Sequence, residues 1–261
     1  MTRLPENILD MPCMKDWCIL LGYRGSIAHG TYRPSNNPNS IDDIDLQGIC
    51  IPPIDYYYGL SQFGSRGTKE IKRDEWDIVL FELTKAIRLL EKGNPNVLSI
   101  LWLEPLHYLK VTKAGQMLID NRDLFVSKQI YHSFAGYANG QLKRMTHLAC
   151  KGYMGAKRKR LVERYGYDCK NASHLIRILE TGIEFLHEGV LHVHRKNAEM
   201  LLEIKDGKWS LEKVKAEAER LFRLAETTHH LSKLSDKSDH EKVNQLCIDV
   251  AKCWIENNGK N

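Results

Sequence analysis

The spacing of hydrophobic and polar positions changes partway along the 261-residue chain. Residues 15–105 mix short apolar runs with glycine, proline and asparagine turns, which is typical of strands and short helices. The later apolar positions recur at helical spacing, and Ser238 and Glu241 form a capping-box pattern that predicts the start of the last helix. The pattern therefore predicts two domains, an α/β unit at residues 1–110 and an all-helical unit at 111–261.

Two segments of the first unit have the pattern of strands. "EWDIVLFEL" is apolar on both strand faces except at Asp77, which is typical of a strand covered on both sides. It leads into an amphipathic segment that ends near Gly93 and Pro95, as expected of a helix. "DDIDLQGICIPP" predicts a second strand, which stops at its two prolines.

The second of these strands carries closely spaced carboxylates. Side chains alternate along a strand, so Asp43 and Asp45 share one face, about 7 Å apart, while Asp42 has the opposite parity and is expected to precede the strand. Two carboxylates at this spacing, completed by Asp77, could bind divalent cations. The alternative is an ordinary turn or surface strand, because the Asp-Ile-Asp pattern alone is common.

A glycine-serine turn precedes these carboxylates. Gly25 and Ser26 are expected to open a short helix, where free backbone N–H groups and a hydroxyl can bind phosphate. His29 lies in the same segment and has either a nucleotide contact or a structural role. A turn for phosphate would then lie beside a strand face for metal.

A later helix carries polar residues on one face. Lys170, His174, Arg177 and Thr181 are spaced four, three and four residues apart, so they share a side of the helix. A basic face of this kind suits a triphosphate or nucleic-acid phosphates. The alternative is a solvated helix face.

Composition and charge narrow the class of protein. The chain is 43% hydrophobic, has no apolar run near the ~20 residues of a membrane helix, and has no secretory signal pattern. Seven cysteines without a CxxC pair favour reduced thiols in the cytoplasm.

The net charge is +5, and basic residues concentrate at 141–170, which favours a polyanionic partner. Tyr153, Tyr165 and Tyr167 interleave with them and could stack on bases, although a solvated surface is the alternative.

The order of several motifs resembles a known superfamily. "GSIAHG", "DDIDLQGICIPP", "DIVLFELTKAIRLLEKGNPNVLSILW", "GYANGQLKRM" and "KNASHLIRILE" follow one another over about residues 20–190. Together they resemble the DNA polymerase β-like nucleotidyltransferases, most closely the RNA-repair-pathway (RNA-ligase-associated) branch of phage and bacteria. Asp42 stands where that branch usually has serine, and Ser99 where glutamate is common.

The resemblance implies a fold and a chemistry. The fold would be α+β, with a small mixed sheet flanked by helices followed by a helical domain that binds nucleotide or acceptor. Mg²⁺ or Mn²⁺ would be held by Asp43, Asp45 and Asp77. The groups expected at the nucleotide phosphates are Gly25, Ser26, Lys170, His174 and Arg177. The enzyme would bind an NTP, with ATP among the expected ligands, move its NMP to a hydroxyl and release pyrophosphate.

The expected acceptor is RNA, at a 3′ end in repair, bound through the basic region 141–170. Two alternatives stay open: a protein or small-molecule hydroxyl as acceptor, and a catalytically silent nucleotide- or RNA-binding module. The sequence predicts no membrane association and does not determine the NTP, a template or the oligomeric state.

Overall fold

The computed structural model of the protein describes residues 4–34, 43–146 and 156–258. Most strands lie in the first part of the chain and helices make up the rest, so the predicted α+β class is confirmed. Asp42 and Tyr153 lie outside the described residues.

In the described part of the chain, five strands form one mixed sheet in the order β3-β4-β2-β1-β5. The central pair, β2 and β4, is parallel, and the other neighbours are antiparallel. The strands are β1 (Cys18–Tyr23), β2 (Ile44–Cys50), β3 (Thr68–Arg73), β4 (Trp76–Glu82) and β5 (Tyr108–Val111).

The two strands predicted from the sequence are the central pair. In β2, Ile44 and Leu46 are buried on the face opposite Asp45, as strand parity predicted. β4 is buried along its length except for the half-buried Asp77. Both strands are therefore covered on two faces, which explains their apolar composition.

Short helices connect the strands and cover the sheet. They are α1 (Glu6–Leu9), α2 (Pro12–Lys15), α3 (Gly25–His29), α4 (Asp55–Tyr58), α5 (Leu83–Glu91) and α6 (Pro95–Leu98), with 3₁₀ turns at Ser99–Trp102, Pro105–His107 and Arg122–Phe125. The predicted helix after β4 is α5, where the carboxylate of Glu82 accepts hydrogen bonds from the first turn.

Longer helices follow β5. They are α7 (Lys113–Asp120), α8 (Ile130–Thr146), α9 (Ala156–Tyr165), α10 (Cys169–Glu188), α11 (Ala198–Lys205), α12 (Leu211–Leu231) and α13 (His240–Asn258). α10 packs against α8, α11 and α12, whereas α13 returns to contact α5 and α7. Among the described helices, none has the length and apolar character needed to span a bilayer.

Apolar side chains cover both faces of the sheet. On one face, Leu46 and Ile78 pack with α1 and α2. On the other face, Ile49 and Phe81 belong to a cluster that continues through Leu175 of α10. The sheet and the helices therefore share a core, and the division into domains at residue 110 stays a prediction.

Two local predictions are wrong. The carboxylate of Asp239, not the hydroxyl of Ser238, accepts a hydrogen bond from the backbone N–H of Lys242 at 3.2 Å in the first turn of α13. The Tyr167 ring is buried, and its hydroxyl donates to the backbone oxygen of Trp209 at 2.7 Å. Tyr167 is thus a core residue, so its ring is not available to stack on a base.

Candidate active site

Two carboxylates lie side by side at the start of the parallel strands. Asp45 of β2 and Asp77 of β4 are paired in register, so their side chains project from the same face of the sheet. Asp43 precedes β2, is exposed, and has the same parity as Asp45. Strand pairing therefore brings together two residues that are separated in the sequence by α4 and β3.

The α3 turn lies directly against this pair. The backbone N–H of Arg24 donates to the backbone oxygen of Asp45 at 2.9 Å. Gly25 has a φ of +62°, and a Cβ there would lie 2.3 Å from Oδ2 of Asp45. Only glycine combines this backbone conformation with so close an approach. The turn predicted for phosphate and the carboxylates predicted for metal are thus in direct contact.

The guanidinium of Arg24 lies between the two carboxylates. Its Nη2 is 3.7 Å from Oδ1 of Asp45 and 3.6 Å from Oδ1 of Asp77. On the outer side, Nζ of Lys72 lies 3.5 Å from Oδ2 of Asp77. Arg24 was not among the residues predicted for the site, although its position immediately before the glycine-serine turn was an available signal.

Electrostatics make Asp45 an unusual carboxyl group. Its pKa is raised to about 6, chiefly by burial; Arg24 and Lys170 oppose the rise, and the neighbouring Asp77 and Asp43 add to it. Like charges and desolvation both disfavour the ionised form. A cation held at this position would reverse that balance.

The carboxylates of Asp45 and Asp77 are candidate ligands for a divalent metal. Within residues 4–34, 43–146 and 156–258, no group of three or more His, Cys, Asp or Glu side chains is arranged to hold one. The Oδ1 atom of Asp77 is nonetheless buried and has no hydrogen-bond partner in the described structure. Together with the carboxylate of Asp45 it forms an oxygen donor pair of the kind that Mg²⁺ prefers. The pair fits a metal, and Asp43 is the nearby carboxylate that could join it.

A cavity of ≈ 50 Å³ opens beside Asp45, between α3 and α10. Six of the residues predicted for the site line it: Gly25, Ser26, Asp45, Lys170, His174 and Arg177. Further lining residues that the sequence argument missed include Thr31, Ser173 and Lys205. The cavity has the polar and cationic lining expected for an anionic group.

α10 supplies the cationic side of the cavity. Arg177 is buried, and burial lowers its pKa to about 10. This pKa is still well above 7, and the guanidinium therefore remains charged at neutral pH. Among the described atoms, its Nε has no hydrogen-bond partner. Thr181 is also buried and donates its hydroxyl proton to the backbone oxygen of Arg177 at 2.7 Å. The alternative of a solvated helix face is therefore wrong at these two residues.

Residues 18–249 match the family model described as the RNA repair pathway DNA polymerase beta family. The chain belongs to this family. The matched segment includes both carboxylate strands, α3 and the whole of α10. The family consists of polymerase β-like proteins of an RNA repair pathway, so the resemblance drawn from the motifs is confirmed. No curated protein matched the chain.

In this member of the polymerase β family, the helical part holds the α3 segment in place. His29 is buried, and its Nδ1 lies 3.0 Å from the backbone oxygen of Val193. Burial and the nearby Arg177 keep the pKa of His29 well below its ordinary value, so the ring is neutral and donates this hydrogen bond. These contacts favour the structural role for His29.

Two cationic side chains also join the α3 segment to the helical part of the chain. Nζ of Lys205 donates to the backbone oxygen of Thr31 at 3.2 Å, and Arg33 forms an ion pair with Asp206. Both partners come from the end of α11, far along the sequence from α3. The α3 segment of this polymerase β family member is therefore held by residues of the later, helical part of the chain.

The basic region predicted to bind RNA lies mainly at the surface. Exposed cations of this region include Lys143, Arg144, Lys159, Arg160 and Arg164. Lys170 belongs to the cavity instead, and the side chains of Lys151, Lys157 and Arg158 lie outside the described residues. The region thus contributes both to the candidate site and to an exposed basic surface.

Proposed function

We propose that the protein is a metal-dependent nucleotidyltransferase that moves an NMP from an NTP to a hydroxyl group at the 3′ end of RNA. One observation carries the proposal: Asp45 and Asp77 are paired in register directly against the Gly25 turn. This arrangement combines carboxylates for a cation with a turn and cations for phosphates. Membership of an RNA repair family supports the same chemistry.

The NTP triphosphate would bind on the α3 and α10 side of the site. Gly25 and Ser26 would contact its outer phosphates, and Lys170, His174 and Arg177 would balance their charge. The Oγ of Ser26 is buried and has no hydrogen-bond partner among the described residues, which leaves a hydroxyl for a phosphate oxygen. The ≈ 50 Å³ cavity is far smaller than the ~300–1,000 Å³ of a pocket for a whole ligand, so the nucleoside would lie outside it.

The divalent cation, Mg²⁺ or Mn²⁺, would bind Asp45 and Asp77 with Asp43 as the third carboxylate. Such an ion lowers the pKa of an attacking hydroxyl and neutralises charge on the attacking and leaving oxygens. Asp77 would help hold the cation that activates the acceptor hydroxyl. Arg24 would give up its contacts with one or both carboxylates when the cation binds.

In the reaction, the acceptor hydroxyl gives up its proton to water, its oxygen forms a bond to the α-phosphorus, and the bond from the α-phosphorus to the bridging oxygen breaks. Pyrophosphate leaves with negative charge, and Lys170 and Arg177 would stabilise it as it departs. The acceptor RNA would approach over the exposed basic residues of α8 and α9. Free thiols at all six described cysteines support a reducing, cytoplasmic location as part of the proposal.

The deciding experiment incubates the protein with α-labelled NTPs, Mg²⁺ and a mixture of short RNAs. We expect label in RNA, and a loss of labelling by roughly 10²–10³-fold or more in Asp45→Asn and in Asp77→Asn. Asp120→Asn, an exposed carboxylate on α7, is the matched control and should label RNA normally. Unchanged labelling by Asp45→Asn would refute the assignment of the site.

The same incubation distinguishes the alternatives. Label on the protein or on an added small hydroxyl compound would replace RNA as the acceptor. RNA binding without any label would instead identify a catalytically silent module.

A further inference from the structure

A second and larger cavity, of ≈ 610 Å³, lies at the end of α9. It is lined by residues 164–167 and by residues 207–212. It shares no lining residue with the ≈ 50 Å³ cavity between α3 and α10, which is called the phosphate cavity below because the proposed function places phosphates there. Its volume is in the ~300–1,000 Å³ range that holds a nucleotide-sized ligand. The proposed site for metal and phosphate does not use it.

Two aromatic rings belong to the wall of this cavity. The ring of Tyr165 lies against Gly207, where a Cβ would come within 2.4 Å of the tyrosine Cδ1 atom. Gly207 also has a φ of +72°, so the turn and the ring position both depend on glycine. Trp209 is half-buried, and the buried Tyr167 fixes its backbone through the 2.7 Å hydrogen bond.

Cationic side chains accompany both rings. The guanidinium of Arg164 lies 5.2 Å from the centre of the Tyr165 ring, and Nζ of Lys213 lies 3.8 Å from the centre of the Trp209 ring. Arg164 and Lys208 are the two cations of the lining, and Glu212 is its carboxylate. Aromatic rings interleaved with cations are typical of surfaces that bind unpaired nucleotides, because bases stack and phosphates need positive charge.

A single turn connects this cavity with the phosphate cavity. Lys205, at the end of α11, lines the phosphate cavity, whereas Gly207 and Trp209 line the larger one. Asp206, between them, forms the ion pair with Arg33 of the α3 segment. Trp209 is four positions after Lys205 in the chain, so their Cα atoms are at most about 14 Å apart. That reach is short enough for neighbouring nucleotides of one strand to occupy both regions.

We propose that this cavity binds an unpaired nucleotide of the acceptor RNA. The base of this nucleotide stacks on the side of the Trp209 ring that Lys213 does not cover, and its phosphate contacts Arg164 and Lys208. Tyr165, packed against Gly207, forms the wall beside it. The inference rests on the proposed function for the identity of the acceptor. The same stacking chemistry could serve the base of the NTP donor, so the test separates these two sources.

The test measures equilibrium binding of a fluorescein-labelled, single-stranded RNA of ten nucleotides and mixed sequence, without NTP or metal. Loss of base stacking in Trp209→Leu should weaken RNA binding at least about fivefold. Trp209→Phe retains an aromatic face and should restore most of the affinity. Trp254→Leu, on α13, is the control and should bind RNA as the unchanged protein does.

A parallel titration with ATP and Mg²⁺ distinguishes the sources. We expect Trp209→Leu to leave ATP affinity unchanged. Reduced ATP affinity with unchanged RNA affinity would assign the cavity to the donor base and overturn the proposal. Unchanged RNA affinity in Trp209→Leu, or no RNA binding by the unchanged protein, would also overturn it.

The outcome is independent of catalysis because the binding assay needs no turnover. RNA binding that depends on Trp209, without nucleotidyl transfer, would support this inference and refute the proposed function. Transfer to RNA that is indifferent to Trp209, with unchanged RNA binding, would do the reverse. Thermal melting of each variant shows whether a lost affinity reflects loss of the fold.

Discussion

Gly25 is in contact with the carboxylate of Asp45, and there is no room between them for a methyl group. A Cβ on Gly25 would lie 2.3 Å from Oδ2 and 3.1 Å from Cγ of Asp45. The turn and the carboxylate therefore constrain each other, and a change in one displaces the other.

Gly25→Ala should reduce nucleotidyl transfer far more than stability. The positive φ costs roughly 1–2 kcal/mol in any residue with a Cβ, and the clash also displaces Asp45. Gly189→Ala is the matched control, since Gly189 has a φ of +71° at the end of α10, and a Cβ there would meet only side chains, those of Val126 at 3.3 Å and Leu234 at 3.4 Å. Melting and NTP turnover are measured on both. Equal loss of turnover in the two variants would contradict the role of Gly25.

Arg24→Gln should make the protein depend more on a divalent cation. Without the guanidinium, Asp45 and Asp77 face each other with less compensation, so the metal-free protein should lose up to about 1 kcal/mol, a figure limited by partial exposure of the pair. Added Mg²⁺ should then raise the melting temperature more than it does for the unchanged protein. Arg24→Lys keeps the positive charge, so its rise in melting temperature with Mg²⁺ should lie between those of Arg24→Gln and the unchanged protein. Identical Mg²⁺ responses would show that Arg24 and the cation do not compete.

Lys205→Met should weaken NTP binding while the protein remains folded. Lys205 lines the cavity between α3 and α10 and donates to the Thr31 backbone oxygen, so the change removes a positive charge and loosens the α3 segment. A hydrogen bond from the Lys205 ammonium to a phosphate oxygen would contribute about 1.5–3 kcal/mol. Its loss would weaken NTP affinity roughly 10- to 150-fold. Lys196→Met, an exposed lysine before α11, is the control. An unchanged NTP affinity would place the triphosphate elsewhere.

The central strands and the carboxylates on them could be predicted from the sequence because their signal is local. Strand parity separated Asp45 from Ile44 and Leu46, and one charge in an apolar strand identified Asp77. The contribution of Lys205 could not be predicted, because its partner Thr31 is 174 residues away in the chain. Local periodicity carries no information about such pairings.

The wrong predictions have physical reasons as well. Ser238 matched the capping-box pattern, but the adjacent Asp239 caps α13, because the helix begins one residue later than the pattern indicated. β3 escaped the sequence argument because an edge strand is mostly exposed, and its polar composition resembles that of a loop. Tyr167 was expected at the surface, yet the packing of α10 against its neighbours buries it.

Acidification should lower the free energy of unfolding, because the buried ring of His29 is neutral in the folded protein. The folded protein keeps this ring neutral, whereas the unfolded chain protonates it near its ordinary pKa of about 6.5. The stability that depends on the neutral ring is thus present above that pH and is lost as the pH falls below it, by at most about 1.4 kcal/mol per pH unit.

His29→Asn should flatten this pH dependence, because asparagine does not titrate and its amide can still donate to the Val193 oxygen. Chemical denaturation between pH 7 and pH 5 measures the slope for each protein. His187→Asn removes an exposed histidine of α10 and should leave the slope as it is. A slope that persists in His29→Asn would assign the acid sensitivity to other groups.

The contacts that hold α3 have a consequence for how the protein folds. His29, Thr31 and Arg33 meet partners 164 to 174 residues further along the chain. Loops of that length close slowly, so these contacts are expected to form after the sheet and the local helices. Recovery of NTP binding should then lag behind recovery of helical circular dichroism during refolding. Ligand affinity would in that case be a stricter measure of the native state than secondary structure.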